Sequence, residues 1–181
     1  MTEKFITIPR NSFTILIGSR DFLTGTLADV PAKFRPGRIV YIHFQGRLHL
    51  PLSSVEQDRI EYRQERNIID IIPVLKADSA RLVIFEYNSA WFYENEGCIG
   101  FFGYLCRERS RNRQEVLFIS ETFDSVISEL EPMADKLVCV KDILSDRHDA
   151  FCNLSCPVTD PAPGNISSRK VKLSRQQCLI C

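Results

Sequence analysis

The sequence has no apolar run near the ~18 residues that a bilayer span requires. Its start, Met1-Thr2-Glu3-Lys4, lacks the charged-then-apolar pattern of a secretion signal. The expectation is a soluble, intracellular, cytoplasmic protein. An excess of either charge is also missing, since 23 Lys and Arg balance 23 Asp and Glu over 181 residues. That excludes a protein that coats nucleic acid over its whole surface, while leaving room for a local basic patch. Seven cysteines at irregular spacing make no disulfide framework. Three of them, Cys98, Cys106 and Cys139, sit among apolar neighbours, where small buried thiols are expected. What the chain does have is apolar substance: 44% hydrophobic residues, with twelve Phe, five Tyr and a Trp, enough for one ordinary core.

Residues 13–17 (FTILI) form a compact run rich in β-branched side chains, stopped by Gly18, and predict a buried strand. A helix is expected over 19–34, with Phe22, Leu23 and Leu27 on one face. Ser19 or Asp21 would cap its start and Pro31 would end it. Residues 38–45 predict a second strand. Residues 53–67 are polar, a solvated helix or an ordered loop, and 67–75 stays ambiguous between helix and strand.

Residues 81–87, 115–120 and 136–140 predict three further strands. Helices are expected over 97–113 and 121–132, the second with Phe123, Val126, Ile127 and Leu130 on one face. Strands that are apolar throughout, alternating with amphipathic helices, imply a parallel sheet covered on both sides. The expected fold is α/β, three-layered, a mostly parallel sheet flanked by helices over 1–142, followed by an irregular Cys-containing basic tail, 143–181.

The order of these elements resembles the RecA/Rad51/KaiC-like P-loop ATPase core over roughly residues 10–142. A strand ending in Gly18 leads into a helix, as a P-loop strand does. The strand RLVIFEY ends near an acid, Glu86, as a Walker B strand does, and VLFIS and ADKLVCVKD follow in the expected places. The resemblance implies a RecA-like fold. A working loop reads G-x-x-x-x-G-K-[ST], with glycines that let N–H groups wrap the phosphates and a lysine that neutralises them. Here Gly18-Ser19-Arg20-Asp21-Phe22-Leu23-Thr24-Gly25 has six residues between its glycines and no lysine after Gly25. Asp21 and Phe22 bring charge and bulk to the place where phosphates would lie. No ATP is expected to bind there, and the resemblance implies a pseudo-ATPase.

Such a domain would work through its surfaces, assembling with a related active ATPase or with itself, in DNA repair, recombination or signalling. The alternative is a nucleotide-binding or metal-dependent enzyme using Glu86 and Glu121 at the C-terminal rim of the sheet, where ligands bind in open α/β folds. No G-x-S-x-G or H-E-x-x-H arrangement offers other chemistry. His43, within a strand, reads as a core or partner-facing imidazole.

Arg107, Arg109, Arg111 and Arg113 form either the solvated end of a helix or a patch for nucleic-acid phosphates or an acidic partner. Trp91, Phe92, Tyr93, Phe101 and Phe102 would serve stacking, an interface or the core. In the tail, Cys152 and Cys156 with Cys178 and Cys181 make two close pairs that would hold zinc, with His148 nearby. The same chain end, Cys178-Leu179-Ile180-Cys181, fits C-a-a-X behind the basic Arg169, Lys170, Lys172 and Arg175. Lipidated at Cys178, the protein would be a membrane-anchored effector. A third reading leaves the tail a basic segment with incidental cysteines.

Overall fold

Runs of β-branched and aromatic residues become strands here because both of their faces find helices or loops to pack on. The structure, a computed structural model, describes residues 8–77, 79–112, 114–141 and 176–180. The chain alternates β1 (Phe13–Ile17), α1 (Arg20–Ala28), α2 (Val30–Lys33), β2 (Ile39–His43), α3 (Ser54–Gln57), β3 (Ile60–Gln64) and α4 (Ile68–Ala77). Then follow β4 (Leu82–Glu86), α5 (Ile99–Arg111), β5 (Glu115–Ser120), α6 (Ser125–Leu130) and β6 (Lys136–Lys141). Six parallel strands lie in the order β3-β2-β4-β5-β1-β6. A seventh, β7 (Gln176–Ile180), runs parallel to β6 with the backbone of Cys178 opposite Cys139.

The fold is α/β, a parallel sheet flanked by helices. Alternate residues of each strand serve opposite faces. Phe13, Ile15, Val83, Phe85, Val116 and Phe118 pack with α4, α5 and α6. Leu16, Leu82, Ile84, Leu117 and Ile119 pack with α1, α2 and the buried Leu48 and Leu50. Phe102 is the hub of the first face. Its ring meets Phe85 at 5.2 Å and Phe92 at 5.7 Å in edge-to-face geometry, the arrangement the ring quadrupole favours. No helix among the described residues is long and apolar enough to cross a membrane.

Several boundaries differ from expectation for identifiable reasons. The helix foreseen over 19–34 breaks at Asp29, and Pro31 opens α2 instead of closing α1. A proline in the first turn loses no helical hydrogen bond. Residues 53–67 hold a short capped turn, α3, and then the edge strand β3. This strand's charges are paired along the sheet edge, Arg38 and Arg63 both meeting Glu61. Such charges hide a strand's period and guard its open edge. The ambiguous 67–75 run is helical, opened by Asn67, whose Oδ1 accepts the Asp70 N–H at 3.0 Å. The helix expected from 121 starts at Ser125, because Asp124 caps it by accepting the Ile127 N–H at 3.0 Å. Phe123 is thereby left outside the helix and 42% exposed.

Candidate functional site

The strand order brings the carboxyl ends of β1, β5, β4 and β2 to one rim, where they enclose a cleft of about 270 Å³. Arg20, Glu86 and Glu121, expected at this rim from the sequence, all line it.

Only Gly18 and Ser19 connect β1 to α1. The Gly18 N–H donates to the Ser120 carbonyl at 3.1 Å, extending the β1–β5 ladder. The Ser19 side chain caps the helix by accepting the Phe22 N–H at 3.4 Å. A methyl group on Gly18 would lie 2.5 Å from Cδ1 of Phe22, so the ring covers the glycine. The expectation of a degenerate loop running from Gly18 through Arg20 to Gly25 is corrected in its extent. Arg20 and Gly25 belong to α1, because the Ser19 cap starts the helix at once. Nothing lies within 4 Å of a Cβ built on Gly25, so that glycine serves no close approach.

Glu86 ends β4. Its Oε2 accepts the Tyr41 hydroxyl at 2.6 Å and the Leu48 N–H at 3.0 Å, which orient the carboxylate from below. Tyr41 is fully buried, and burial first, then the Glu86 charge, pushes its phenol far above the ordinary range. It therefore stays a neutral donor at any ordinary pH. Glu121 begins the turn after β5, where its Oε1 accepts Arg20 Nε at 3.1 Å and Nη2 at 2.8 Å. The hydrogen bond and charge of Glu121 raise the Arg20 pKa further. Both side chains of this pair are about half exposed.

Two residues of this rim escaped sequence reading. Asp124 uses both carboxylate oxygens, one as the α6 cap and the other to accept the Tyr87 hydroxyl at 2.5 Å. Burial, then this bond, raises the Tyr87 pKa. An Asp immediately before the apolar face of α6 is a recognisable cap signal. Tyr41 carries none, since its partner comes from another strand.

Neither a family model nor a curated protein sequence matches this chain. The residues and their geometry carry the functional reading.

The arginine cluster does not form as expected. Arg109 is 4% exposed, and its guanidinium donates to the carbonyls of Leu75 at 2.9 Å and Ala80 at 3.3 Å. It is a correction to the patch: Ile99, Phe102, Cys106 and Arg109 fall on the buried face of α5 by helical spacing, so this arginine ties down the end of α4. Arg111 is exposed and meets Glu108 at 2.7 Å, and Arg107 is half-buried. Arg113 lies outside the described residues. Trp91 and Phe92 are core, the indole N–H donating to the Glu65 carbonyl at 2.9 Å, whereas Tyr93 is 84% exposed. Phe102 is core and Phe101 exposed.

Cys106 is buried, and burial raises its thiol pKa. His43, at the end of β2, keeps Nδ1 buried without a partner among the described residues, and burial lowers its pKa. Cys152, Cys156, Cys181 and His148 lie outside the described residues, and only the backbone of Cys178 falls within them. Among the described residues no group of three or more His, Cys, Asp or Glu side chains is placed to hold a metal.

Chemically, the described residues of the cleft set three carboxylates against one guanidinium. A triphosphate would meet net like charge, a Gly18 amide already bound to the Ser120 carbonyl and a phenyl ring. Like charges about 4 Å apart repel by about 4 kcal/mol at the effective dielectric of a protein surface.

Proposed function

We propose that this chain is a non-catalytic, RecA-like α/β domain, a pseudo-ATPase that acts by contact and not by turnover. The observation that carries the reading is the two-residue connection after β1. Its glycine amide is bound into the sheet, its serine caps the helix, and Phe22 fills the space above Gly18. A phosphate site at this position needs several amides aimed at one point, with positive charge behind them. Here the Gly18 and Phe22 amides are bound within the fold, and the chain enters the helix without the glycine-lined turn that would aim its neighbours at one point. The resemblance supplies the partner class: a related active ATPase or a second copy of this chain, in repair, recombination or signalling.

Thermal melting with and without millimolar ATP and Mg²⁺ tests the reading. A ligand at a hundred times its Kd stabilises a native state by about 2.7 kcal/mol, a shift of several degrees. The expected shift is zero. A shift that Arg20→Ala abolishes would overturn the proposal.

A further inference from the structure

The rim cleft is shaped and charged to receive a side chain of its own kind of counter-ion. We propose that it is a docking cleft for an arginine presented by a protein partner, with an apolar neighbour of that arginine resting on Phe123. The inference rests on the contact reading above and names what that contact is made with.

The carboxylates at the cleft are held by one oxygen each. Glu86 Oε2 takes the Tyr41 hydroxyl and the Leu48 amide, while Glu121 Oε1 takes both Arg20 nitrogens. Among the described residues no hydrogen-bond partner is placed on Glu86 Oε1 or Glu121 Oε2. Both donors on Glu86 are neutral, so its negative charge is oriented without being cancelled. The electrostatic reach of Glu86 extends to Arg20, which places the two carboxylates within one field. A cation entering the cleft would find a fixed carboxylate and pay little to arrange it, the condition under which a charge pair contributes to binding.

Guanidinium suits the walls better than ammonium. Phe44 and Tyr87 line the cleft beside Glu86, and a planar cation can stack on a ring while it donates in its own plane to a carboxylate. Asn88 and Ser89 add neutral polar atoms for the remaining donors. A protein segment is the source that the surroundings favour. Phe123 falls in the chain between the lining residues Thr122 and Asp124 and is 42% exposed, so an apolar side chain is offered to solvent on the segment that borders the acidic cleft. Partners recognised this way insert a charged side chain and cover the apolar rim around it.

The test uses the full chain labelled with ¹⁵N and four probes: acetyl-Phe-Arg-methylamide, its citrulline counterpart, methylguanidinium and inorganic triphosphate. The arginine peptide should shift the amides of Leu48, Glu86, Asn88 and Thr122 in a saturable way. The uncharged citrulline peptide should bind at least about tenfold more weakly, a loss of one charge-assisted hydrogen-bonded pair. Glu86→Gln should weaken the arginine peptide at least about fivefold; if that variant does not fold, Glu121→Gln serves the same comparison. Equal binding of the citrulline peptide, or no rim shifts at all, overturns the inference and leaves the contact reading standing. Methylguanidinium binding as tightly as the peptide overturns the protein source. Triphosphate shifting the same amides overturns both this inference and the reading beneath it.

Discussion

The two ends of the sheet each present a carboxylate at the end of a strand, and they treat it in opposite ways. At the amino end, Glu115 opens β5 and is fully buried, its oxygens accepting Arg81 Nε at 3.0 Å and Nη2 at 3.3 Å. The Asn11 amide donates to it at 3.4 Å. Asp135 Oδ2 accepts the Phe13 amide at 2.8 Å, and the buried Arg109 closes the end of α4. Glu115 is neutralised by an ion and Arg109 is buried among carbonyls, and these two make the seal, while Asp135 beside them is exposed and held by neutral donors. At the carboxyl end, Glu86 is held by neutral donors, and Glu121 shares its charge with an exposed arginine. Fixed but uncancelled charge is what a binding surface needs and what a seal avoids. The contrast lies between Glu115, buried and neutralised by an ion, and Glu86, oriented by a hydroxyl and an amide that leave its charge in place.

The largest effect should come from breaking the seal. Arg81→Ala leaves the fully buried Glu115 carboxylate with one backbone amide; Arg81 itself is 42% exposed, yet stranding a buried charge costs about 3 kcal/mol. Urea unfolding should show a lower midpoint with an unchanged slope. A loss under about 1 kcal/mol would mean that water reaches Glu115, and the contrast between the ends would fail.

Arg109→Met keeps the apolar stem and removes the donors to the Leu75 and Ala80 carbonyls. The expected loss is about 2 kcal/mol, since orphaned buried acceptors cost about 1–3 kcal/mol. Arg111→Met, on the exposed side of the same helix, should stay within about 0.5 kcal/mol. Equal effects would put both arginines back on one surface and revive the phosphate-binding patch.

The difference between these arginines also marks how much was legible beforehand. Strands β1, β2, β4, β5 and β6 could be read because both their faces are buried and their apolar runs are unbroken. The edge strand β3 could not, since its charges are paired along a border that only the assembled sheet defines. Arg109 belongs to the periodic buried face of α5, yet a charged residue on an apolar face reads as solvated until its carbonyl partners, about thirty residues away, are known. Glu86 and Glu121 were legible as strand-end acids. That Tyr41 and Leu48 orient Glu86 was not, because both arrive from elsewhere in the chain. Gly25, seven residues beyond Gly18, reads both as the end of a loop and as part of a helix capped at Ser19, and the cap decides for the helix.

The smallest effect is expected at the carboxyl end, and its smallness is what sharpens the contrast. The Arg20–Glu121 pair has the shorter contact, 2.8 Å against 3.0 Å for Arg81–Glu115, and geometry alone would rank it as strong. Exposure reverses the order. With both side chains about half exposed, water and salt screen the attraction, and freezing two long side chains offsets much of what remains. Arg20→Ala should therefore change unfolding free energy by no more than about 0.5 kcal/mol, and 0.5 M salt should reduce even that. Because the substitution removes the one cation among the described residues that line the cleft, it should also tighten the arginine peptide while leaving the melt intact. A variant that lost as much stability as Arg81→Ala would show that the rim is a second seal, with no charge to spare for a partner.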